Sequence, residues 1–138
     1  MIKTIDMKLM RYLNLFSKIS KVTPKHCFVY NNILIFTVNE KNLSKAIGEN
    51  GENIKKISEI LNKKVRVVMI PKSLGDAEKF ISTIIYPIQI KSVEIDGQFL
   101  IINSGQQNKA LLIGRNKQRF KEMRKIVKDY FDKDLKIA

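Results

Sequence analysis

The chain has 138 residues, 44% of them hydrophobic, a composition that excludes a wholly disordered protein. Its 26 lysines and arginines exceed its 13 acidic residues, so the formal charge is 26 − 13 = +13 and a polyanionic partner is expected. One cysteine and one histidine exclude an internal disulfide and predict no metal site. The single cysteine fits a reducing cytosol, and the first twenty residues, basic and amphipathic without a long apolar run, predict neither a signal peptide nor a membrane span. A cytoplasmic protein with no membrane partner is therefore expected.

Residues 1–70 predict six elements in the order helix, strand, strand, helix, helix, strand. Helices are indicated by apolar spacings of three and four, and strands by short apolar runs on either side of Asn31-Asn32, residues that tolerate the positive φ of a tight turn. The elements are a helix over 6–20, strands over 28–30 and 33–38, a short helix ending at Gly48, a longer helix through Ile54, Ile57 and Leu61, and a strand over 65–70.

Residues 76–138 repeat this order. The segment from Asn42 to Gly48 aligns with the segment from Asn108 to Gly114 at an offset of 114 − 48 = 66 residues. The repeated elements are a helix over 76–86, strands over 93–95 and 99–102 flanking Asp96-Gly97, a short helix ending at Gly114, a longer helix through Phe120, Met123 and Val127, and a strand over 135–138.

The fold class is therefore α+β, with a first module at 1–70, a linker at 71–75 that contains proline and glycine, and a second module at 76–138. A module of this size buries only about 60% of its unfolded surface, so the two are expected to pack together.

The segment Gly48-Glu49-Asn50-Gly51 places a G-x-x-G loop between two helices. Backbone amides at the start of the second helix attract phosphate, and a side chain at either glycine would hold a sugar-phosphate backbone away from them. A lone G-x-x-G is weak evidence, but this helix-loop-helix context makes it more specific. The predicted RNA-binding residues here are Lys45, Ile47, Gly48, Glu49, Asn50, Gly51, Ile54 and Lys55.

Two alternatives stay open for the residues that flank this loop. The helix-loop-helix resembles that of the type II KH fold, in which bases lie across an apolar groove beside this loop. That resemblance makes Ile47, Ile54 and Ile57 candidates for the groove wall or the underlying core, and core packing is favoured for Ile57. Any one lysine could pair with phosphate or lie on a solvated helix face. The collective effect of the lysines is the firmer expectation.

The second loop departs from the pattern, because Lys117 stands where the second glycine is expected. Its bulk predicts a weaker or altered RNA contact, whereas its charge adds to a basic helix face that could bind RNA backbone or simply be solvated. The predicted RNA-binding residues of this module are Gly114, Arg115, Asn116, Lys117, Lys121 and Arg124.

The sequence predicts no enzyme and no cofactor. No G-x-x-x-x-G-K-[ST] segment occurs, so the loop is not read as a nucleotide-hydrolysing site. The adjacent His26 and Cys27 have no evident third partner for nucleophilic catalysis, and a buried Cys27 near the start of a strand is favoured instead.

A G-x-x-G loop within an α-β-β-α-α-β unit resembles the prokaryotic, type II KH fold, in which four nucleotides are clamped beside an apolar groove. Four segments resemble the archaeal NusA-like transcription termination/antitermination proteins. They are residues 15–27, 45–54, 87–95 and 110–116.

This resemblance implies two KH modules in one rigid platform that binds single-stranded RNA, with a nascent transcript and RNA polymerase as the implied partners. A competing hypothesis is a ribosomal-RNA-associated or protein-interaction module whose charge alone drives binding. RNA binding should depend on Gly48 and Gly51 if the loop clamps single-stranded RNA, and should not depend on them if charge alone drives binding.

Overall fold

The computed structural model describes residues 7–138 and confirms the α+β class. The described chain divides into two compact units, residues 7–70 and residues 71–138. Each unit contains one three-stranded sheet and follows the order helix, strand, strand, helix, helix, strand. The predicted start of the first helix at Asp6 lies outside the described residues. Within the described residues, no helix is both long and apolar enough to cross a membrane.

The first unit is built on a three-stranded sheet of β1 (His26–Tyr30), β2 (Ile33–Val38) and β3 (Lys64–Met69), with β2 in the centre. Strands β1 and β2 are antiparallel, and β2 and β3 are parallel, so the two helices between β2 and β3 form a crossover connection. The elements are α1 (Met7–Ser20), β1 (His26–Tyr30), β2 (Ile33–Val38), α2 (Leu43–Ile47), α3 (Glu52–Leu61) and β3 (Lys64–Met69).

The first core lies between this sheet and its helices. The central strand β2 is buried from Leu34 to Val38, as expected for a strand covered by helices. Phe16 of α1 stacks on Phe36 of β2 with ring centroids 4.4 Å apart, and Ile57 of α3 is fully buried in the same cluster. These contacts fix α3 on the sheet, and the loop before α3 is positioned with it.

The second unit repeats this topology around β5 (Phe99–Asn103) as the central strand. Its last helix has 14 residues where α3 has ten. The offset between the units therefore rises from 66 at the first strands to 134 − 64 = 70 at the last strands, which is one added helical turn. The elements are α4 (Ala77–Ile85), β4 (Ser92–Asp96), β5 (Phe99–Asn103), α5 (Gln106–Ile113), α6 (Gln118–Phe131) and β6 (Asp134–Ile137).

The two hairpin turns use different residues. Asn31 and Asn32 both have positive φ, 52° and 62°, as predicted for the first turn. In the second hairpin, β4 continues through Asp96, which pairs with Phe99, so the two-residue turn is Gly97-Gln98. The prediction of an Asp96-Gly97 turn was wrong by one residue, although Gly97 does supply a positive φ of 58°.

Candidate nucleic-acid interface

The G-x-x-G loop of the first unit is a sharp connection between α2 and α3. Gly48 ends α2, and its N–H donates to the Ser44 carbonyl at 3.0 Å. Its φ of 81° and ψ of 168° lie in a region that is essentially restricted to glycine. Asn50 and Gly51 then adopt left-handed conformations, and α3 begins at once with Glu52. The first turn of α3, the positive end of the helix dipole, is thereby brought to the loop, and the Glu52 N–H at its start donates to the Glu49 carbonyl.

Gly48 is required by the packing of the protein itself. A Cβ atom at this position would lie 2.9 Å from Cγ and Nδ2 of Asn53 and 3.0 Å from the Asn53 backbone nitrogen. The Asn53 amide Nδ2 also donates to the Lys45 carbonyl at 3.0 Å, which connects α3 to the last turn of α2. The contact with Asn53 therefore explains why a glycine is present at position 48 without any need for RNA to reach the backbone amides. The interpretation from the sequence did not predict this contact within the protein.

Gly51 is different, because its missing side chain would point into open space. No atom lies within 4 Å of a Cβ built there. Its N–H donates to the Gly48 carbonyl at 3.1 Å, and its φ of 73° and ψ of 19° are left-handed values that other residues can adopt at a cost. The sequence predicted that both glycines allow a sugar-phosphate backbone to approach the loop closely. In the structure, this argument applies to Gly51 alone.

The predicted residues around this loop divide into exposed and packed groups. Lys45, Glu49, Asn50 and Lys55 are exposed. Ile47 and Ile54 are partly buried and pack against the first core, so each has one side on the core and one side accessible. Ile57 has no exposed surface, which supports its assignment to the core and excludes direct contact with a base.

The loop of the second unit has nearly the same backbone conformation despite its different sequence. Gly114 has φ 76° and ψ 172°, and Asn116 has φ 56° and ψ 28°, against 56° and 26° for Asn50. Lys117 adopts the left-handed conformation of Gly51, with φ 60° and ψ 24°, and donates its N–H to the Gly114 carbonyl at 3.2 Å. The lysine substitution therefore preserves the turn.

Arg119 occupies in the second unit the place that Asn53 has in the first. A Cβ atom on Gly114 would lie 2.6 Å from Cγ of Arg119 and 3.0 Å from its backbone nitrogen. The Arg119 side chain is largely buried and forms an ion pair with Glu122 at 3.0 Å. Neither Asn53 nor Arg119 was predicted to matter, although the 66-residue offset that aligns the two loops also aligns these two residues.

The predicted basic face of α6 is partly neutralised at its C-terminal end. Arg124 contacts Asp134 through two hydrogen bonds, at 2.8 and 3.4 Å, and Lys128 contacts Asp132 at 2.7 Å. The hydrogen bond from Arg124 lowers the pKa of the Asp134 carboxyl, and the hydrogen bond from Lys128 lowers the pKa of the Asp132 carboxyl. At the other end of the helix, Arg115, Lys117 and Lys121 are exposed.

Cys27 is buried in β1, as predicted. Burial raises the pKa of its thiol to about 12, so the thiolate needed for nucleophilic chemistry is strongly disfavoured at neutral pH. Among the described residues, no group of three or more histidine, cysteine, aspartate or glutamate side chains is placed to hold a metal ion.

Residues 11–74 match the family model of the KH domain. Two archaeal proteins, each named a probable transcription termination protein NusA, align with almost the whole chain. The protein of Halococcus morrhuae is 24% identical over 134 residues, covering 95% of this chain and 94% of that protein. The protein of Thermoplasma acidophilum is 20% identical over 133 residues, covering 94% and 90%.

A third relative with the same name, from Methanocaldococcus jannaschii, is 35% identical over 81 residues, covering 59% of this chain and 43% of that protein. The crystal structure of APE1850 matches with a TM-score of 0.66 at 28% identity, covering 97% of this chain and all of that chain. These findings confirm the resemblance inferred from the sequence, and a KH domain supports RNA binding.

Proposed function

We propose that the first module of this chain, whose residues 11–74 match the KH-domain model, binds single-stranded RNA through the loop at residues 48–51. The similarity of almost the whole chain to archaeal proteins named probable transcription termination protein NusA supports this proposal. The RNA would be a nascent transcript held near RNA polymerase, and its capture would influence transcription termination or antitermination. The proposal involves no catalytic step and no cofactor.

The observation that carries this proposal is the open space beside Gly51. A Cβ atom there would contact nothing in the protein, so an RNA strand can approach the loop backbone closely. The amides at the start of α3 supply hydrogen-bond donors and a positive potential for phosphate. The partly buried Ile47 and Ile54 flank the loop and offer apolar surface to bases.

The loop also carries two acidic residues, Glu49 and Glu52, which oppose attraction by charge alone. A clamp based on backbone amides and close approach tolerates these carboxylates, whereas binding driven only by charge would avoid the first loop. Dependence on Gly51 therefore distinguishes the proposed function from a charge-driven association with folded ribosomal RNA.

The test is fluorescence anisotropy with a labelled single-stranded RNA, comparing wild type with Gly51→Asp. Asp tolerates left-handed φ better than most residues, so the fold is retained while bulk and negative charge block the approach of the phosphate. We expect affinity for RNA to fall at least about tenfold, the equivalent of 1.4 kcal/mol of binding free energy.

Gly97→Asp is the matched control. Gly97 also has positive φ and open space at its Cβ position, but it lies in the second hairpin turn. This control should bind RNA as wild type does, and circular dichroism should show both variants folded. Equal RNA affinity of Gly51→Asp and wild type would overturn the proposed function.

A further inference from the structure

The second loop lacks the second glycine and yet keeps the conformation of the first. The left-handed backbone at Lys117 costs roughly 1–2 kcal/mol relative to ordinary backbone, a cost that glycine would avoid. Gly114, Asn116 and Lys117 nevertheless have φ and ψ values within about 15° of those of their counterparts in the first loop. The loop shape is thus retained with a long cationic side chain at its tip.

The two loops have opposite charge. Residues 48–52 contain Glu49 and Glu52, for a net charge of −2, and residues 114–118 contain Arg115 and Lys117, for a net charge of +2. Lys121 lies one helical turn after Lys117 and is exposed. Three cationic side chains therefore cluster at the loop end of α6.

Three other basic residues of α6 have carboxylate partners, whereas Lys125, one turn after Lys121, is exposed. Arg124 and Lys128 are paired with Asp134 and Asp132 toward the C-terminal end of the helix. Arg119 is largely buried and paired with Glu122. These pairs leave Arg115, Lys117 and Lys121 as the exposed positive charges at the loop end of this face, with Lys125 one turn farther along.

We propose that this cluster, Arg115, Lys117 and Lys121, is a second RNA site that holds phosphates by side-chain charge instead of by close approach to backbone amides. This inference rests on RNA being the ligand of the first module. Lysine and arginine that neutralise phosphates displace counterions from the RNA, and this displacement makes affinity fall as salt rises. The second module would therefore supply much of the salt dependence of RNA binding.

The experiment measures the anisotropy of the same labelled single-stranded RNA across a salt series, with the double variant Arg115→Gln/Lys117→Gln. Each phosphate contact on a single strand adds about 0.7 to the slope of log affinity against log salt, so losing two should reduce the slope by about 1.4. Lys117→Gly removes one charge without removing the turn, and should reduce it by about 0.7.

The control is Lys79→Gln/Lys91→Gln, which removes the same charge from exposed positions on α4 and before β4. It should leave the slope close to that of wild type. An unchanged slope in Arg115→Gln/Lys117→Gln, or an equal reduction in the control, would overturn the second site. Because Gly51→Asp tests the first loop separately, failure of this inference is distinguishable from failure of the proposed function.

Discussion

The two loops show that the shape of a G-x-x-G turn and its chemistry are set by different residues. Gly48 and Gly114 both pack against the fifth residue after them, Asn53 and Arg119, and leave no room for a Cβ atom. The residue after this glycine is Glu49 in the first loop and Arg115 in the second, and the two loops nevertheless have nearly the same backbone conformation. The first glycine therefore specifies the turn. The residues after it, as far as Gly51 and Lys117, can differ between the loops and so change what the loop binds.

The largest expected effect comes from the matched core positions of the two modules. Ile57→Ala and Met123→Ala each remove a buried side chain and should each cost about 2–5 kcal/mol of unfolding free energy. Cys27 is the only cysteine and is buried in the first module, so its rate of alkylation in urea reports on opening of that module. Ile57→Ala should accelerate alkylation strongly and Met123→Ala much less. Equal acceleration would mean that the modules unfold as one unit.

The next effect compares the two glycines of the first loop. Gly48→Ala combines a strained backbone, worth about 1–3 kcal/mol, with a collision against Asn53, whereas Gly51→Ala should cost only about 1 kcal/mol. Urea denaturation followed by circular dichroism measures both. If the two variants lose the same stability, the contact with Asn53 does not govern the turn.

A smaller effect of opposite sign is expected in the second loop. Lys117→Gly relieves the left-handed backbone of a residue with a Cβ atom and should stabilise the second module by at most about 1 kcal/mol. Gly51→Lys should destabilise the first module by a similar amount. Thermal unfolding of the two variants checks this symmetry, and destabilisation by Lys117→Gly would show that the lysine side chain makes a stabilising contact.

The smallest expected effect is a loss of stability of the second module at acid pH. The pKa values of Asp132 and Asp134 are lowered in the folded protein, so both carboxylates stabilise it above their ordinary pKa of 3.8. This contribution is lost as pH falls from about that value through the lowered pKa values. The pairs are exposed, and the loss should be slight. Comparing the urea midpoint of wild type and Asp134→Asn at neutral and acid pH measures it, and identical acid sensitivity would exclude this pair as its source.

Much of the architecture followed from the sequence because the signals were local and occurred twice. Apolar patterns predicted the six strands and the first helix of each module within about two residues, and the repeat at 66 residues supported each assignment with a second copy. The last helix extends to Phe131, four residues beyond Val127, the last residue named for it. The hairpin at Asp96-Gly97 was misplaced by one residue, since strand ends depend on cross-strand pairing that composition does not reveal.

The candidate site was less completely predictable. The G-x-x-G pattern located the loop, but the reason for Gly48 is a contact with Asn53 that depends on how α3 leaves the turn. Arg124 and Asp134 are ten residues apart in the chain, and their pairing likewise requires β6 to lie beside α6. Spacing on a helix places side chains on a face, but it does not identify partners from another element.

By itself, the sequence determined the duplicated α+β order, the position of both loops and the excess of positive charge, because periodicity, repeats and composition are properties of the chain. Only the tertiary structure decided that Gly48 packs against Asn53 while the Cβ position of Gly51 faces open space, and that Lys117 keeps the turn of the glycine it replaces. The physical reason is that the space beside a glycine is filled or left open by atoms from other parts of the fold, and the local sequence does not specify which atoms these are.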